Sequence, residues 1–177
     1  FAVGKSASGE MAVYRLENKA VKGSGSLETQ GIGNNRPVRE AVTAAFTYFG
    51  TNARKVLPGI KVSEKDYLLY YGDSQRKGLS TEISLGEFIG LCSALAERSV
   101  IESLAIAGDI KISGTLAKLT NLEEIFRVCK NAGAKRVLIP MDCIMDMQSV
   151  SRELLSEIQP MLYNDPLDAA RKALDIF

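Results

Sequence analysis

The 177-residue chain contains no histidine, and that absence decides which chemistry its other side chains could perform. A Ser-His-Asp or Cys-His arrangement is excluded, and so is any metal site built on imidazole. A hydroxyl nucleophile would have to give its proton to a lysine, a carboxylate or a terminal amine. Ser84 and Glu87 stand three residues apart at the head of an apolar run, the spacing of a capping box that closes a helix start. Glu123 and Glu124 open another predicted helix, where carboxylates interact well with the positive end of the helix dipole. Stabilising that helix start is their expected role, ahead of any part as a base. Cys92, Cys129 and Cys143 are odd in number and widely spaced, so they form neither a disulfide framework nor a zinc motif. Cys92 and Cys129 fall inside apolar helical patterns and read as buried thiols in a reducing compartment.

Charge narrows the partners. Lys and Arg number 22 against 21 Asp and Glu, a net charge of +1, which provides no broad field for nucleic acid or an anionic membrane. Hydrophobic content of 46% with 24% charged residues is ordinary for one globular domain, here expected to span residues 1–177. No apolar stretch approaches a membrane span. The chain opens on Phe1 rather than Met, and its F-A-V-G-K start lacks a signal-peptide core. The expectation is a cytoplasmic domain excised from a longer protein.

The elements that must position these groups follow from periodicity. M-A-V-Y-R-L (11–16) and the run at 26–29 read as strands of a meander or hairpin, with G-I-G-N-N (31–35) as a turn. Pro37 suits a first helical turn, and Val38, Ala41, Val42, Ala45 and Phe49 predict an amphipathic helix to about Val56. D-Y-L-L-Y-Y (66–71) predicts a buried strand, 72–80 a loop, and 84–97 a helix. S-L-A-I-A (103–107) and D-I-K-I-S (109–113) are strand candidates separated by Gly108, a residue suited to a bend or bulge. A helix over 121–131 closed by Gly133, a strand over 135–140, a helix near 147–158, a strand at 161–163 and a last helix from Pro166 complete the pattern. Strands and helices mix without strict alternation: early segments look antiparallel and later ones helix-connected. This is an α+β (mixed α/β) domain with mixed sheets packed against several helices.

Four segments in order carry a resemblance. K-G-S-G-S-L-E-T-Q-G (22–31), V-R-E-A-V-T-A-A (38–45), A-I-A-G-D-I-K-I-S-G (105–114) and A-G-A-K-R-V-L-I-P (132–140) are similar to the C-terminal peptidase domain of Lon proteases. S-L-A-I-A-G-D-I, N-A-G-A-K-R-V-L-I-P and the ending I-Q-P-M-L-Y-N-D-P-L-D-A-A-R-K-A-L (158–174) more closely resemble the Lon-related ATPases of bacterial phage-exclusion (BREX) loci. The resemblance implies the Lon proteolytic-domain fold and a Ser-Lys mechanism, in which a lysine kept neutral takes the serine proton. Such a lysine must drop from about 10.4 to roughly 7–8. Backbone N–H groups, as at a helix N-terminus, would stabilise the oxyanion.

The family's nucleophile turn, D-G-P-S-A-G, corresponds to K-G-L-S-T-E-I-S (77–84). Ser80 keeps the Gly-x-Ser pattern and is the first candidate nucleophile. Ser84 is the second, because the spacing to Gly108 is slightly longer than usual. Turn and helix-cap roles are the plain alternative for both. The family's Gly-Gly-x-x-x-Lys aligns with Thr120 to Ile125, so both glycines are gone and Ile125 holds the lysine position. Lys118 and Lys77 remain as candidate bases, with a solvated surface cation as the alternative. Lys130, five residues past Ile125, is turned off that helix face.

Two readings result. In one, the domain is catalytically degenerate and serves ring assembly of an attached AAA+ ATPase, with a place in phage defence. In the other, it is an active ATP-dependent serine endopeptidase with a displaced lysine, acting on unfolded protein. Either way the resemblance implies no cofactor in this domain, ATP and Mg in the ATPase module, and a hexameric homo-oligomer in the full-length protein. It implies no membrane, and DNA engaged only through other domains.

Overall fold

The computed structural model describes residues 1–176. A seven-stranded mixed sheet runs in the order β3-β4-β2-β1-β5-β6-β7. Its strands are β1 (Ala2–Lys5), β2 (Met11–Lys22), β3 (Leu27–Gln30), β4 (Lys65–Gly72), β5 (Leu104–Ala107), β6 (Arg136–Pro140) and β7 (Gln159–Tyr163). The helices are α1 (Arg36–Val56), α2 (Ser84–Ala96), α3 (Leu122–Asn131), α4 (Arg152–Glu157) and α5 (Pro166–Leu174). β2 pairs antiparallel with β1 and β4, while β5, β6 and β7 are parallel to one another and β1 is parallel to β5. The mixed α/β expectation holds.

Alternation along the central strands sends side chains to two cores. Leu104, Ile106 and Leu138 face α1, α2 and α5, packing with Phe49, Phe88, Leu91 and Ala170. Ala105, Ala107, Val137 and Ile139 face α3 and α4, packing with Ile125, Phe126, Cys129 and Leu154. β5 is buried on both faces, which is why it reads as an unbroken apolar run. Cys92, Cys129 and Cys143 are all buried and unpaired.

Local chemistry explains the helix ends. The Asn35 side chain accepts from the Val38 N–H at 3.1 Å, with Pro37 in the first turn of α1. Asp165 does the same for Asp168 at 2.8 Å before Pro166 in α5. Gly133 takes φ +93° just past α3, the left-handed conformation that glycine adopts at low cost.

Three expectations fail. The segments at 11–16 and 26–29 are not partners: β4 lies between β2 and β3, and β3 runs parallel to β4. The pairing that was missed is the hairpin of β1 with β2, whose short A-V-G-K run gives little alternation to read. Residues 109–113 form no strand, only a bridge between Ile110 and Leu116. The expected helix at 147–158 is a 3-10 turn (Asp146–Ser149) followed by the short α4, because the Ser151 hydroxyl starts a new helix by accepting from the Leu154 N–H.

Gly108 is a packing point. A Cβ there would strike the Tyr163 hydroxyl and come within 2.7 Å of Leu85. The Tyr163 hydroxyl donates to the Ala107 carbonyl at 2.8 Å, so neither neighbour yields without losing a buried contact. Gly108→Ala is expected to cost about 1–3 kcal/mol in chemical denaturation.

Candidate active site

The turn at 77–84 carries both candidate serines and is held by two tyrosines rising from the sheet. Tyr14 of β2 donates to the Gly78 carbonyl at 2.6 Å. Tyr71 of β4 donates to the Ser80 carbonyl at 2.9 Å and accepts from the Ser80 N–H at 2.8 Å. Asp73 accepts from the Lys77 and Gly78 N–H groups, closing the loop from the other side. Burial pushes both phenols well above their ordinary range, so they stay protonated donors.

Ser80 is buried, at 1% exposure. Its hydroxyl accepts from the Glu82 N–H at 3.0 Å, the local turn bond that serine makes two residues ahead of itself. The oxygen lies behind β1: a Cβ on Gly4 would come within 2.9 Å of it. Ser84 is not a capping residue. It occupies the first position of α2 after Ile83, and its hydroxyl donates to Asp109 Oδ1 at 2.9 Å while accepting from the Ile110 N–H at 2.6 Å. That corrects the capping box: the serine latches α2 to the loop after β5 instead of closing its own helix.

A cleft of about 140 Å³ opens beside this turn, lined among others by Gly4, Glu82, Asp109, Lys118 and Ile125. Ile125 is almost wholly buried and also belongs to the core between the sheet and α3. Lys118 lies on the cleft wall. Lys77 directs its amine to the Met11 carbonyl at 3.5 Å. Lys130 pairs with Glu157, as its helix face requires. Among the described residues, no lysine amine bonds the hydroxyl of Ser80 or Ser84. Glu123 spends its oxygens on Arg127 and the Ser151 N–H, and Glu124 pairs with Arg127. Both act structurally, as their position at the helix start implies.

The chain matches the model of the Lon protease (S16) C-terminal proteolytic domain over residues 6–175. It belongs to that family. It is 34% identical over 176 residues to the Lon-like protease BrxL of Bacillus cereus (strain H3081.97), covering 99% of this chain and 26% of that protein. Identity to the Lon-like protease BrxL of Escherichia coli O9:H4 (strain HS) is 34% over 169 residues, covering 96% and 24%. A Lon protease of Flavobacterium johnsoniae is 26% identical over 144 residues, covering 79% and 17%. The chain thus spans about a quarter of the length of the BrxL relatives. No helix among the described residues of this Lon-type domain is long and apolar enough to cross a membrane.

Sequence reasoning missed Glu87, which it placed in the capping box. In the folded Lon-type domain its side chain is buried, and its Oε2 has no hydrogen-bond partner. Burial, reinforced by the nearby Asp109 carboxylate, pushes its carboxyl up to about 8. The missed signal was the apolar run on both sides, which left position 87 no route to solvent. Because the folded value exceeds the unfolded one, the unfolded chain loses this proton first as pH rises. Stability is therefore full below about 4.5, declines between about 4.5 and 8, and levels off above. The decline approaches about 1.4 kcal/mol per pH unit at most. Glu87→Gln is expected to flatten this slope in urea titrations run from pH 5 to 8; an unchanged slope would place the proton elsewhere.

Proposed function

We propose that this domain is a Lon-like module without peptidase activity, which serves ring assembly of an ATP-dependent protein. The observation that carries the reading is Ile125, a buried alkyl side chain lining the cleft where the family resemblance calls for the general base. Carbon accepts no proton, so a serine that depended on this position for its base remains a weak nucleophile. The burial of Ser80 and its turn bond to the Glu82 N–H support the same reading, since the hydroxyl is engaged in holding the loop. Losing the base removes most of the acceleration a serine nucleophile provides.

The intact protein is proposed to carry an AAA+ module that binds ATP and Mg, to form a hexameric ring in the cytoplasm, and to act in phage defence. The likeness to two BrxL proteins supports this placement. Contact with DNA is assigned to other parts of that protein, in keeping with the net charge of +1 here.

One observation favours the competing peptidase: Lys118 lines the same cleft as Ile125. The test separates the two readings. The intact protein with ATP and Mg is expected to leave casein uncut over hours, and Ser80→Ala is expected to leave its assembly unchanged. Hydrolysis that disappears in both Ser80→Ala and Lys118→Ala would establish the peptidase instead.

A further inference from the structure

Beyond β5 the chain folds back on itself over residues 109–117. The Lys111 N–H donates to the Thr115 carbonyl at 2.7 Å, the Ala117 N–H donates to the Asp109 carbonyl at 2.9 Å, and Ile110 bridges Leu116. The tip stands in solvent, with Ile112 fully exposed. The root forms one wall of the cleft beside the serine turn, through Asp109, Lys111 and Ala117. Ile110 and Leu116 pack on the core, and the polar tie between this root and α2 is Ser84. Its hydroxyl donates to Asp109 Oδ1 at 2.9 Å and accepts from the Ile110 N–H at 2.6 Å.

Glu87 lies one turn further along α2, on the same side of the helix as Ser84. It is 1% exposed, and its Oε2 has no hydrogen-bond partner. Two titratable groups face it: Asp109 from the loop and Tyr71 from β4. β2 sets the neutral Asn18 against Gly90, and the Asn18 Oδ1 is unpartnered too. Among the described residues no cation pairs with Glu87, while Asp109 already shares its charge with Ser84 and with Lys111 at 3.2 Å. A protonated Glu87 tolerates this position. An ionised one is a dry, unpaired charge beside a second carboxylate, and the cost falls only if water enters and Asp109 withdraws.

We propose that the 109–117 loop is a movable wall of the cleft, latched by Ser84 and Asp109 and released when Glu87 gives its proton to solvent. Withdrawal of Asp109 strips Ser84 of its acceptor, frees the Ile110 N–H and widens the cleft. The sign is fixed by the cluster: the neutral carboxyl favours the closed loop and the ionised one favours the open loop. Burial holds the Glu87 proton up to about 8, so release falls in mildly alkaline solution. Each pH unit above that favours the open form by up to about tenfold.

Hydrogen exchange of the intact protein from pH 6.5 to 9.5, corrected for the base catalysis of exchange itself, tests this. Protection of the 108–118 peptide is expected to fall about tenfold between pH 8 and 9 in the wild type, while β6 stays protected. Glu87→Gln is expected to hold the protection flat. Asp109→Asn removes the facing charge but keeps an acceptor for Ser84, and should flatten it as well. Ser84→Ala, which lacks the latch, is expected to exchange faster in this peptide already at pH 7. Flat protection in the wild type, an equal fall in the Glu87 and Asp109 variants, or a matching loss in β6 that marks global opening overturns the proposal.

Discussion

Position 125 cannot be at once a closely packed element of the core and a source of an exchangeable proton. Ile125 joins Phe126 and Cys129 in sealing α3 against Ala105, Val137 and Ile139. The transfer of such a side chain from water is worth about 1.5–3 kcal/mol, which secures the helix to the sheet. A lysine there would have to be stripped of water and kept neutral, which costs stability and is worthwhile only if it does chemistry. In this Lon-type domain position 125 holds an alkyl side chain, and the cleft wall is continuous with the core behind it.

The serine turn shows the same balance. Ser80 is clamped through its backbone by Tyr71, and its hydroxyl oxygen accepts from the Glu82 N–H. Ser84 spends its proton on Asp109. A catalytic hydroxyl needs an unpaired approach from substrate; a structural one needs its bonds filled. Glu87 is different: a carboxyl held among apolar neighbours and beside Asp109, with an oxygen left over. Its cost is lowered by keeping the proton, which removes the charge but not the need for a partner.

The two faces of the sheet carry different duties. One holds the long helix α1 and leaves a groove along it; the other holds α3 and lifts the methionine segment after β6 into solvent.

Much of this was legible from residue order alone. Periodicity located α1, whose apolar residues fall three to four apart against polar neighbours, and the apolar run of α2, while Gly133 marked the end of α3 and Pro166 the start of α5. The missing histidine and Ile125 are statements about side-chain chemistry, so they too needed no coordinates. What the tertiary structure decided are the relations between distant segments. β4 entering between β2 and β3, Ser84 reaching Asp109, Gly4 closing over Ser80 and Glu87 losing its water all arise when segments far apart in the chain are pressed together. Local sequence encodes which conformations a segment prefers. Desolvation and strand neighbours are set by whatever the folded chain places next to it, and no local pattern carries that information.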